Sequence, residues 1–263
     1  MFDMVSITIK GLFRDRVFHG ILMVAIILPF IPILSTLSMR QVTELSLTLT
    51  LSLISFLLLL LATFLGGTLL WKDMERRYTY SVLSLPMTRA SYLLGKFFGI
   101  ALFLFFTALL LGLIGCVVVW LVSGNYPPDR PVVWTNLFLA VVFDVLKYIL
   151  LVAFAVLFST VSTSFFLPIF GTISIFFVGN ASQQVYDYIH SQAGQIIPQI
   201  IRQCATVIYY ILPNFSAFDL KINAIYGLPI NLEGTILTLC YFVVYVSVVL
   251  SAATVIFERR ELK

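Results

Sequence analysis

The sequence predicts an all-α membrane protein of six transmembrane helices with both termini in the cytoplasm. Three observations lead there. Of its 263 residues, 60% are hydrophobic and 11% charged, against about a quarter charged in soluble proteins. Six apolar runs are each long enough to cross a bilayer, which takes about 20 helical residues. The basic residues divide unequally between the two sides that those crossings create.

The first run, from Phe18 to about Leu37, follows Lys10, Arg14 and Arg16 and so has the polarity of a signal peptide. It is long for a cleaved apolar core, and Ser35, Thr36 and Ser38 match a cleavage site poorly, so we read it as a span over about 17–38. The others fall at about 46–71, 97–123, 136–159, 164–180 and 233–257, within a single transmembrane domain covering 1–263. Each is read as a helix because a helix satisfies its own backbone polar groups in hydrocarbon, and no dyad alternation of a membrane barrel is present.

One side then holds Lys10, Arg14, Arg16, Lys72, Arg76, Arg77, Arg89, Lys96, Arg259, Arg260 and Lys263; the other holds Arg40, Arg130, Arg202 and Lys221. Eleven against four places the first side inside. The net charge of +4 is thereby explained by orientation, and the basic residues are not interleaved with aromatics along a polar surface as nucleic-acid binding would require.

Two connections are long, an inner one at 72–96 and an outer one at 180–232. In the outer one, Ile197, Ile200, Ile201, Cys204, Ile208, Ile211 and Leu212 recur at helical spacing, with Pro198 in the first turn and Pro213 at the stop. This reads as an amphipathic helix at the outer interface, either covering the bundle mouth or gating a substrate. The shorter turn at 124–135 carries the Pro127–Pro128 pair.

Chemistry of the chain's own is not expected. No phosphate-binding loop occurs, since Gly95–Lys96 is followed by Phe97 and lacks the earlier glycine. His19 and His190 fall on opposite sides, and Cys116, Cys204 and Cys240 share no metal-like spacing. We therefore expect no catalytic, cofactor or metal site.

Asp144 and Lys147 lie near the middle of the fourth span, where each isolated charge costs about 2.5–3.5 kcal/mol. At i and i+3 they share a face, so we read them as a mutual pair turned into the bundle, with a role in structure rather than substrate binding. Gly95 and Gly99 form a small-residue step that admits a neighbouring helix. The inner connection, with Asp73, Glu75, Arg76, Arg77, Thr79 and Arg89 around Pro86, reads as an interfacial helix ended by the proline or as a solvated loop holding anionic headgroups.

Its residues resemble a family. Glu75, Arg76 and Arg77, then Thr79, then Val82-Leu83-Ser84 with Pro86, Thr88 and Arg89, then Tyr92 through Phe97 and Gly99 resemble the inner loop of ABC-2 type permeases, the membrane subunits of ATP-binding-cassette exporters. Leu212-Pro213-Asn214 resembles the family's segment before the last helix, and Arg259-Arg260-Glu261-Leu262 its tail. Many members carry Gly where Tyr78 stands here.

The resemblance implies a permease that pairs as a homodimer and docks two copies of a separate ATPase subunit, which would bind the ATP. Closure of the ATPases would reach the membrane through an amphipathic amino-terminal helix, mapped to 1–16, and a cytoplasmic coupling helix, mapped to 72–89 with Asp73, Glu75, Arg76, Arg77, Thr79, Pro86 and Arg89. The expected function is ATP-driven export across the inner or plasma membrane. Alternatives are a non-transporting permease that transmits mechanical work to an outside maturation assembly, and an ion-coupled secondary transporter using Asp144 and Lys147.

Overall fold

A computed structural model describes residues 2–36, 41–75, 88–126, 128, 130–191, 196 and 198–260. The stretch 76–87, which carries Arg76, Arg77, Thr79 and Pro86 and with them most of the expected coupling helix, lies outside the described residues.

The described residues are mostly helical, and six segments among them are long and apolar enough to span a membrane. Helix α1 (Phe2–Phe13) is amphipathic: Met4, Thr8 and Leu12, one turn apart, are buried, while Lys10 and Arg14 face outward. The first span is broken into α2 (Arg16–Ala25), a 3-10 turn (Leu28–Phe30) and α3 (Ile31–Ser35). Pro29 and Pro32 remove two amide donors there, which interrupts the hydrogen-bond ladder. Asp15 begins α2, accepting from the Val17 amide at 2.8 Å.

Helices α4 (Val42–Glu75), α5 (Arg89–Asn125) and α6 (Trp134–Val161) form the centre. In its most apolar stretch α6 is 78% buried, against 22% for α2–α3, 28% for α7 (Phe166–His190) and 17% for α10 (Leu232–Arg259). Those three peripheral spans expose mainly apolar side chains, which lipid solvates at no penalty. Close approach at the centre depends on small residues: a Cβ on Gly115 would stand 2.7 Å from the Thr50 methyl, and one on Gly66 3.1 Å from Ala155 Cβ.

Two elements run longer than hydropathy indicated. Helix α5 begins at Arg89, well before the apolar run at 97, and α7 continues past residue 180 to His190. Both extensions are polar faces held by hydrogen bonds described below, so polarity there marks helix ends outside the apolar layer. Beyond them, α8 (Gln199–Ile211) follows Pro198 and stops before Pro213, with no residue buried. A 3-10 turn (Ser216–Phe218) and the short α9 (Lys221–Tyr226) then lead through Gly227, at φ 62° in the left-handed region, into α10.

Candidate functional site: the charged end of the bundle

A cluster of charged residues stands where α1 meets α2, α4 ends, α5 begins and α10 ends. Asp73 on α4 accepts at one oxygen, Oδ2, from the Tyr92 hydroxyl at 2.8 Å and pairs there with Lys96 Nζ at 2.6 Å. Lys96 is 7% exposed, and its ammonium also lies 5.8 Å from the Tyr92 ring centroid. The last turn of α4 is thereby fastened to the first two turns of α5. Lys72 pairs with Asp15 at 3.3 Å, tying the same end of α4 to the corner between α1 and α2.

Two arginines extend the connection. Arg89, on the first turn of α5, donates from Nη1 to the carbonyls of Glu258 and Arg260 at 3.0 and 2.9 Å and reaches that of Phe257 at 3.5 Å. These are carbonyls that the end of α10 leaves without helical partners, and a cation there also meets the negative end of the helix dipole. Arg260 does the same for α6: Nη1 lies 2.7 Å from the Thr160 carbonyl and 3.3 Å from that of Ser159, and Nη2 lies 2.7 Å from that of Ser162. Tyr92 stacks on Phe257 at 6.1 Å, so the polar contacts sit on a buried aromatic one.

Of the expected coupling residues that are described, Asp73 and Arg89 are therefore engaged within the chain, whereas the Glu75 side chain is exposed. Helix α1 joins the same assembly at Gly99, where a Cβ would stand 2.7 Å from Thr8 Cβ. Of the small-residue step, Gly99 is where the amino-terminal helix comes close.

In mid-bundle, Lys147 Nζ lies 2.7 Å from Asp144 Oδ1, with side chains 4% and 6% exposed. The Ser55 hydroxyl donates to the same carboxylate oxygen at 3.2 Å and lies 2.7 Å from the Tyr148 hydroxyl. Ser55 has one proton to give, so Tyr148 donates to Ser55 in this arrangement. Lys147 also lies over the Tyr148 ring at 4.9 Å. Both charges are satisfied within the chain, as a buried pair must be to persist in a low-dielectric interior.

At the opposite end, Leu212-Pro213-Asn214-Phe215 folds onto α7. The Phe215 amide donates to the Gly179 carbonyl at 3.2 Å, and the Asn214 side-chain amide donates to Gln183 Oε1 at 2.7 Å and the Tyr209 hydroxyl at 3.2 Å. Asn136, at the start of α6, donates to the carbonyls of Asn223 and Leu228 at 3.1 and 2.9 Å. Phe215, Phe218 and Ala224 are buried, so part of the outer connection is a folded plug against α4, α6 and α7. Lys221 stands on it, and partial burial lowers its pKa from the ordinary lysine value, opposed by Asp144 and Asp219 and reinforced by Lys147.

Sequence reading missed Ser55, Tyr148, Asp15, Asn136 and Gly179. Hydroxyls inside apolar runs and single asparagines carry no spacing that marks their partners. Among the described residues no group of three His, Cys, Asp or Glu could hold a metal, and the three cysteines are free.

An all-α bundle with six spans long and apolar enough to cross a bilayer defines a multi-pass membrane protein. The family model for ABC-2 family transporter proteins matches residues 5–262, and the chain belongs to that family. It is accordingly a membrane-embedded permease subunit of an ABC transporter, a class whose enzymatic partner is in general an ABC ATPase. No curated protein matches the chain.

Proposed function

We propose that this chain couples ATP hydrolysis by a separate ATPase subunit to export of a substrate across the inner or plasma membrane. It acts as a homodimer on which two ATPase subunits dock, with the charged end in the cytoplasm. The observation that carries this reading is the cap relay. Movement delivered to the stretch 72–89 reaches α5 through Asp73, Tyr92 and Lys96, α10 through Arg89, and α6 through Arg260. Contacts that join the end of α4 and the start of α5 to α6 and α10 suit a part that receives motion rather than generates it.

In this reading Arg76, Arg77, Thr79, Pro86 and the exposed Glu75 meet the ATPase, while Asp73 and Arg89 transmit. Asp144 and Lys147 hold α6 against α4 and bind no coupling ion, because each already has its counter-charge. Purification from native membranes in mild detergent tests the proposal. An ABC ATPase should accompany the chain and be lost on Glu75→Lys, with the thermal midpoint unchanged. A lone chain whose transport follows a proton gradient would contradict it.

A further inference from the structure

We propose that the groove between α1, α2 and α5 binds an anionic phospholipid, one acyl chain lying in the groove and the headgroup on Arg14, Arg16 and Lys10. The groove encloses about 480 Å³, inside the range of about 300–1,000 Å³ typical of ligand sites. Ile9 and Phe13 from α1, Leu22 from α2, and Phe106 and Leu110 from α5 give it an apolar wall. Phe13, Phe18 and Phe103 brace one another edge to face, with centroids 4.8 to 5.8 Å apart, so the wall is built rather than collapsed.

Charge decides which amphiphile fits. Lys10 on α1 and Arg14 just past its end follow the groove residues Ile9 and Phe13 in sequence, and on α2 the row Arg16–His19–Leu22 passes from charge to apolar surface at steps of three. Lys10, Arg14, Arg16 and His19 are exposed, and no ion pair among the described residues involves them. The nearest acid in sequence, Asp15, is already engaged by Lys72 and the Val17 amide; the other acid on α1, Asp3, lies in its first turn, at the far end of the helix. His19 Nδ1 lies 2.9 Å from the Asp15 carbonyl, and the residue lines the groove. Exposed cations next in sequence to the lining of an apolar groove, with no ion pair among the described residues, match a phosphate diester on an acyl chain. A zwitterionic lipid would leave its own ammonium against them. The inference needs only that the chain spans a membrane and is independent of the ATPase assignment.

Native mass spectrometry of the full chain in detergent tests it, with phosphatidylglycerol, phosphatidylcholine of the same chains, and glycerol phosphate as probes. Each basic residue near an anionic headgroup contributes about fivefold in affinity. Arg14→Gln with Arg16→Gln should therefore weaken phosphatidylglycerol about thirtyfold and leave phosphatidylcholine unchanged. Arg14→Lys with Arg16→Lys should keep the preference, which separates charge from folding. Leu110→Trp, which fills the groove, should weaken both lipids. Equal affinity for the two lipids, or glutamine variants that bind as the wild type does, would overturn the proposal. Glycerol phosphate bound as tightly as the lipid would overturn it in favour of a phosphate site. Loss of a dimer on Leu110→Trp with lipid binding intact would overturn it in favour of a second copy of the chain.

Discussion

Arg89 Nη1 lies 2.9 Å from the carbonyl oxygen of Arg260, whose own guanidinium holds the carbonyls that end α6. One helix start is thus connected to two helix ends through a pair of arginines. A hydrogen bond to a charged group contributes about 1.5–3 kcal/mol, less where water competes. Arg260→Ala should lower the thermal midpoint in detergent, and Arg260→Lys should recover only part, because an ammonium cannot hold carbonyls with two separate nitrogens. Full recovery by lysine would mean that charge alone matters at this position.

For Asp144 and Lys147, removing one partner strands a buried charge and costs about 3–5 kcal/mol. Asp144→Asn and Lys147→Met should each reduce the thermal midpoint sharply. The swap, Asp144→Lys with Lys147→Asp, should recover much but not all of the loss, since Ser55 and Tyr148 are arranged for the native polarity. A swap no better than the single changes would show that mutual pairing is not their role.

These two cases separate what the sequence shows from what it hides. The spans and the i, i+3 pairing follow from hydropathy and helical geometry, which are local. Arg89 and Arg260 were legible only as charges on one side, because the positive-inside bias says where a cation sits and nothing about which helix end it closes. The plug at 213–231 has no signature in the sequence beyond a long connection: Phe215, Phe218 and Ala224 are buried from short turns, too brief to show a period. Pro29 and Pro32 were visible, yet the apolar run around them reads as one continuous span.

Gly179 fixes the plug. A Cβ there would stand 2.5 Å from the Phe215 ring and 2.6 Å from the Pro213 carbonyl. Gly179→Ala should cost about 1–3 kcal/mol, as overpacking does, and should increase proteolysis within 212–231. Adding Phe215→Leu should not restore stability, since the Pro213 carbonyl still blocks the methyl. Unchanged proteolysis would show that the segment does not dock here.

Lys221 gives a pH signature. Burial lowers its pKa in the folded protein, so between that lowered value and the ordinary lysine value of 10.5 the unfolded chain binds more protons. Stability linked to this group therefore rises with pH through that window. Lys221→Met should raise the thermal midpoint at neutral pH, and the advantage should shrink as pH approaches 10.5. An advantage independent of pH would assign the effect to packing.

Coupling to a cytoplasmic ATPase requires residues 72–89 to stand on the cytoplasmic side of the membrane. With Cys116, Cys204 and Cys240 replaced by Ser, single cysteines at Glu75 and Ile196, both exposed, are offered a membrane-impermeant maleimide in intact cells. The account predicts that Glu75→Cys stays unlabelled until the cells are broken while Ile196→Cys reacts at once. Labelling of Glu75→Cys in intact cells would contradict it, because no cytoplasmic ATPase could then reach the segment.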